Sequence, residues 1–250
     1  MFRASISAIL TLVCFSSIAQ DSNLVSNYDA TNKTFIAALK QQIEVPENNS
    51  ISNVSSNLKD NDGNSYNIVK IGNQLWMAEN LKSTKFNDGT DISLVSDYKS
   101  WGSLTTPGYC WYNNETGSNK TNYGALYNGY TVCTDKLCPL GWHIPSVEEW
   151  MTLTNYCSEK IAGGKLKEIK NWMSPNTGAT NETGFKALPG GCRGNLGSFM
   201  GKGLSGHWWS STEYEKTNIR DYTMGYSYSD VTGGSDHKKS GLSVRCVKDN

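Results

Sequence analysis

Oxygen-bearing side chains stand at alternate positions at Asp60, Asp62 and Asn64, the spacing of the first three ligands of a twelve-residue calcium loop. The rest of that template is not met. Its sixth position needs glycine for a sharp turn and holds Ser65; its twelfth needs a bidentate glutamate and holds Ile71. Asp62-Gly63 is instead a strong turn dipeptide ahead of the alternating run "SYNIVKI", so the stretch reads as a structural turn with no metal site. Nucleophile chemistry finds no better footing. "GLSG" at residues 203–206 lacks the spacing and the strand-to-helix setting of a nucleophile elbow. His143, between Trp142 and Ile144, reads as a packed, hydrogen-bonded residue rather than a general base, and His207, ahead of Trp208 and Trp209, reads the same way. Glu148 and Glu149 are neighbours on an expected helix and point apart, so they cannot share one substrate as acid and base. No catalytic residues and no cofactor are expected.

Aromatic side chains are the positive signal. Alternation in "YTMGYSY" places Tyr222, Met224, Tyr226 and Tyr228 on one strand face. If that face is core, it packs; if it is exposed, Tyr222, Tyr226 and Tyr228 offer rigid apolar area with polar edges, suited to a sugar ring or a protein surface. Cysteines carry the second signal, and they are read together with the N-terminus. "MFRASISAILTLVCFSSIAQ" has one cation at Arg3, an apolar stretch and small residues at Ser17 and Ala19, the layout of a secretory signal cleaved after Ala19. The apolar stretch is too short to span a bilayer, and Val13 before Cys14 argues against a lipid anchor. Export leaves six cysteines, Cys110, Cys133, Cys138, Cys157, Cys192 and Cys246, and an even number in an oxidising compartment argues for up to three disulfides over a zinc site.

The elements that must position these groups follow from pattern. Lys and Arg number 23 against 23 Asp and Glu with no run of one sign, so no basic stripe is available for nucleic acid. Residues 20–57 are Asn- and Ser-rich and read as a spacer, with a short amphipathic stretch, "TFIAALKQQI", too brief to be a stable helix alone. The compact domain is expected over 58–250. "SYNIVKI", "GN" and "QLWMAENL" describe a hairpin. "PSVEEW" gives Ser146 as an N-cap and Glu149 as its capping-box partner, with Trp150, Leu153 and Cys157 on the buried face. A second helix is expected at "GGKLKEI", started by Gly163 and Gly164 and burying Leu166 and Ile169. Strands are expected at "HWWSST", "RDYTMGYSYS" and "GLSVRCV", the last with Leu242, Val244 and Cys246 on one face.

The blocks "DGNSYNIVKIGNQLWMAENL", "YGALYN", "LCPLGWHIPSVEEW", "GGKLKE", "TGFKALPGGCRGNLGSF", "WWSSTE" and "GLSVRCVKD" occur in this order. The chain closely resembles the Fibrobacter succinogenes major paralogous domain of exported proteins from Fibrobacter and Bacteroidetes bacteria. That family is similar to the C-type lectin-like and formylglycine-generating-enzyme folds. The resemblance implies an α+β, loop-rich domain with a twisted antiparallel sheet, two helices, and paired N- and C-terminal strands. It also implies a Cys138–Cys246 bridge. It carries no chemistry with it: the thiol site of the sulfatase-activating enzymes and the calcium-site motifs of lectins have no counterpart here. The function expected is an exported, non-catalytic binding or adhesion module of the cell envelope or surface, recognising a glycan or protein through loops between "WWSSTE" and "GLSVRC". An enzyme related to the formylglycine-generating group and a purely structural envelope protein are the alternatives.

Overall fold

The computed structural model describes residues 54–249; the expected signal sequence, the expected cleavage after Ala19 and the amphipathic stretch at 34–43 lie outside them. Among the described residues, thirteen strands form two sheets. β1 (Val54–Lys59), β2 (Ser65–Ile71) and β3 (Gln74–Met77) open the fold, and β1 begins inside the stretch read as spacer. β4 (Tyr109–Cys110), β5 (Leu126–Asn128) and β6 (Trp142–His143) are short. Then come β7 (Gly190–Arg193), β8 (Phe199–Lys202), β9 (Ser205–Glu215), β10 (Asn218–Gly225), β11 (Thr232–His237), β12 (Gly241–Leu242) and β13 (Val247–Lys248). The smaller sheet has the order β1-β2-β3-β13-β6 and is antiparallel. The larger runs β11-β10-β9-β7-β12-β5-β4, with β8 on β7.

Two expectations change here. The single antiparallel sheet is two sheets, and the larger is mixed, because β7 and β9 pair in parallel at Gly191 and Gly206. The last strand pairs with β3 and β6 rather than with the outermost strand β1, which contacts only β2 within its sheet. The hairpin's return arm therefore holds the C-terminal strand.

Among the described residues there are four α-helical segments rather than two: α1 (Tyr98–Ser103), α2 (Gly129–Val132), α3 (Val147–Tyr156) and α4 (Ala162–Leu166). In α3 the capping box of Ser146 and Glu149 forms as expected, and Trp150, Leu153 and Cys157 are buried. The second expected helix is displaced. Gly163 and Gly164 lie inside α4, where a Cβ would fall 2.1 Å from the Asp230 carbonyl and 2.4 Å from that of Gly178. Close backbone approach, not helix initiation, is why these positions are glycine. α4 ends at Leu166 and the chain turns away, so Ile169 is 61% exposed instead of buried. No helix among the described residues is long and apolar enough to cross a membrane.

Strands β9 and β10 separate two cores. Trp208, Tyr222 and Met224 face a cluster containing Trp76, Trp150 and Phe185; Trp209 and Ile219 face another containing Tyr66, Tyr127, Leu242, Val244 and Cys246. Irregular connections are pinned between them by three buried cations, each in one of the sequence blocks quoted above. Lys167 Nζ donates to the carbonyls of Thr177, Gly225 and Tyr228 at 3.0, 2.8 and 2.7 Å. Arg193 donates to the carbonyls of Gly197, Val95, Ser96 and Asp97 and lies between the rings of Trp101 and Phe199. Arg245 donates to Asn80 Oδ1 and to the carbonyls of Phe185 and Lys186. Burial lowers the Lys167 amine to about 8 and the Arg245 guanidinium to about 9, so both remain protonated at neutral pH.

Cys138 and Cys246 are bridged across a separation of 108 residues. The other four cysteines among the described residues are free thiols, so one disulfide replaces the expected upper limit of three there. Geometry explains this for Cys110 and Cys192. β4 and β7 lie three strand spacings apart, roughly 14 Å, far beyond the roughly 4.4–6.8 Å Cα separation of a disulfide. Burial raises Cys110 and Cys192 to about 12 and Cys157 to about 11, whereas Cys133 is exposed. A disulfide-forming chromogenic reagent is therefore expected to titrate Cys133 alone in the native mature protein. Denaturant should bring the count to the four free thiols; fast native labelling of Cys192 would contradict the packing.

Candidate functional site

A polar row lies on strands β9, β10 and β11 rather than in the loops expected to carry recognition, and it begins at Ser205 and His207, ahead of that stretch. Period-2 alternation puts Ser205 and His207 on one face of β9, and the register pairs Ser205 with Gly225, His207 with Thr223 and Trp209 with Asp221. On the other side of β10, Asp221 pairs with Gly234, Thr223 with Thr232 and Ile219 with Asp236. Asp221 and Asp236 are thus diagonal neighbours on the same face. The row runs outward from the Trp209 core to partly exposed Ser205, His207 and Thr223.

These groups form one hydrogen-bonded chain. Ser205 Oγ lies 2.9 Å from His207 Nε2, His207 Nδ1 lies 3.0 Å from Thr223 Oγ1, and Thr223 Oγ1 lies 3.3 Å from Asp221 Oδ2. One proton per hydroxyl sets the direction of the chain. When Asp221 is ionised, Thr223 donates to it, the Nδ1–H of a neutral His207 donates to Thr223, and Nε2 accepts from Ser205. Burial holds the His207 pKa below its ordinary value against the pull of Asp236, which favours that neutral form.

Asp221 is held at a cost in stability. It is 7% exposed, and its one hydrogen bond from another side chain is the Thr223 contact. Burial, then the neighbouring Asp236, pushes its carboxyl up to about 6. A raised carboxyl pKa favours the fold while the group is protonated, and the advantage is lost as pH rises through about 6. Asp221→Asn removes that loss. The variant is expected to match wild type near about pH 4 and to gain about 2 kcal/mol above about pH 7, read by urea unfolding. A pH-independent difference would show that the carboxylate is not the source. Perturbed carboxyl groups of this kind cluster at functional sites, and structural networks produce them too.

A family model described as the Fibrobacter succinogenes major domain matches residues 69–248. The chain belongs to this family. Comparison with curated proteins finds no match, and comparison with solved structures finds none either.

Within this Fibrobacter succinogenes major domain, the other residues singled out from sequence have structural employment. Asp60 accepts hydrogen bonds from the backbone N–H groups of Asp62 and Asn64, the Asn64 amide and the Tyr66 hydroxyl. Asp62 accepts from Ser83 and from the backbone N–H and hydroxyl of Thr84. Both carboxylates organise the turn, in which Gly63 has φ +79°, and no group of three metal-ligating side chains occurs among the described residues. The tyrosine row is not exposed as a row. Tyr222 is 8% exposed and stacks on Trp150 at 4.8 Å between ring centroids, while Tyr226 and Tyr228 follow the end of β10 at Gly225 and are half-buried. His143 bridges Glu149 at 2.8 Å and Asp249 at 2.6 Å. Burial alone lowers its pKa; the bonds to Asp249 and Glu149 outweigh that and raise it. Sequence reasoning followed the aromatic face of β10 and missed the opposite one. Ser205/His207 and Asp221/Thr223 each share a strand face by spacing alone, which is the signal that was available.

Proposed function

We propose that the chain is an exported, non-catalytic binding or adhesion module of the cell envelope or cell surface, on a C-type lectin-like scaffold, that recognises a glycan. The carrying observation is the Ser205–His207–Thr223–Asp221 chain, a preset series of donors and acceptors reaching partly exposed positions. Beside it β11 carries Gly234, whose missing side chain leaves room for the Asp221 carboxylate, 3.0 Å from where a Cβ would stand. Hydroxyl-rich ligands match such an array because each sugar hydroxyl both donates and accepts. Export is supported by the disulfide, which persists in oxidising compartments. Thiol chemistry of the formylglycine-generating kind needs a low-pKa cysteine, and burial pushes Cys110, Cys157 and Cys192 the other way.

A glycan array probed with the mature protein and with Ser205→Ala and His207→Gln tests this. Binding is expected for wild type, weakened about tenfold or more in His207→Gln with an unchanged melting temperature. A silent array, or hits indifferent to both substitutions, removes the reading; self-association in sedimentation with a silent array favours a structural envelope role.

A further inference from the structure

A concave site lies away from the His207 row, between the opening turn and the loop bearing Cys138. It encloses about 180 Å³ and its lining includes Lys59, Asn61, Lys85, Phe86, Asn87 and Leu140. The hydrogen bonds already made there define what remains for a ligand. Asp60, also in the wall, is saturated by the turn. The Asn61 amide N–H donates to the Phe86 carbonyl at 2.8 Å and that of Asn87 to the Cys138 carbonyl at 3.1 Å. Both side-chain amides are thereby oriented, leaving Oδ1 of each as an acceptor. The ammonium groups of Lys59 and Lys85 make no ion pair or hydrogen bond with a described residue. Leu140 stands 80% exposed at the rim, with Phe86, Leu137 and Pro139 beneath.

An occupant must therefore present an apolar face to Leu140 and Phe86, hydroxyl donors to two amide oxygens, and negative charge to two ammonium groups. We propose that this cleft binds a uronate residue of an acidic polysaccharide. The C–H face of the pyranose packs on Leu140, its hydroxyls donate to Asn61 and Asn87, and its carboxylate lies between Lys59 and Lys85. A neutral hexose leaves both cations unanswered. An isolated acidic side chain leaves the amide oxygens unanswered. The volume admits one ring, so the chain of sugars runs across the cleft rather than into it. The site is independent of the His207 row and stands or falls apart from it.

The test is titration of the full mature protein, labelled for amide NMR, with an oligogalacturonate, a neutral galactose oligosaccharide of equal length and a Glu-rich peptide. Variants are Lys59→Gln/Lys85→Gln and Leu140→Asp, both at the surface, with His207→Gln as the control for the other site. The expected result is shifts centred on residues 58–61, 85–87 and 137–140 with the oligogalacturonate. Affinity should fall about tenfold or more for the neutral sugar and in each cleft variant, weaken with salt, and be unchanged in His207→Gln. Equal binding of the neutral sugar, preference for the peptide, shifts elsewhere, retained affinity in the lysine variant, or no binding overturns the proposal.

Discussion

Replacing Arg245 with methionine is expected to lower the unfolding free energy by about 4 kcal/mol, with the lysine variant intermediate. The guanidinium is fully enclosed and makes four hydrogen bonds to three acceptors. Methionine fills much of the same volume, so packing changes little. What is lost is the partner of the Phe185 and Lys186 carbonyls and of Asn80 Oδ1. Each buried acceptor left without a donor costs about 1–3 kcal/mol. Two terms oppose the loss. The desolvation that lowers Arg245 to about 9 disappears with the charge, and Asn80 Oδ1 keeps the Trp208 indole N–H at 2.9 Å. The carbonyls keep no comparable substitute, so destabilisation wins. Lysine restores charge but presents a point donor in place of a fork, and cannot bridge Asn80 and both carbonyls at once. Urea unfolding of the three proteins orders wild type above Arg245→Lys above Arg245→Met; a methionine variant as stable as wild type would mean that the cage carries no net stabilisation.

The same residue shows where sequence reading stops. "GLSVRCV" was legible as alternation, and Leu242, Val244 and Cys246 do enter one core. Arg245 belongs to the opposite side of that alternation, where a solvated arginine would be the ordinary reading. Its acceptors lie 59 to 165 residues away, and no local pattern encodes carbonyls that arrive from elsewhere in the chain. Helix α3 was readable because its determinants, Ser146 and Glu149 and the Trp150/Leu153/Cys157 stripe, are all within one short segment. α4 was misplaced because its glycines answer to Asp230 and Gly178 across the fold. The candidate site has the same character. Each strand of the Ser205–His207–Thr223–Asp221 row shows its half by spacing, but the register that joins them is tertiary.

Opening the Cys138–Cys246 bridge is expected to remove about 4–5 kcal/mol, comparable to losing Arg245, through a different term. The bridge closes a loop spanning 108 residues of separation, and in the chain-entropy model its stabilisation comes from restricting the unfolded chain. In the fold it ties the segment ahead of β6 to the segment ahead of β13, two strands that already pair at Val247–His143 and Lys248–Trp142. The native pairing therefore needs little rearrangement to persist without the covalent link. A Cys138→Ala/Cys246→Ala variant should keep its native circular dichroism where it is still folded, and should fall in urea midpoint with little loss of cooperativity. Because the loss acts through the unfolded state and the Arg245 loss acts in the folded core, combining the variants separates the two. Arg245 and Cys246 are chain neighbours, so departure from additivity reports how far the cage is held in place by the bridge. Additive losses mean that the carbonyl cage holds itself; a combined loss larger than the sum means that each device covers for the other at the closing strand.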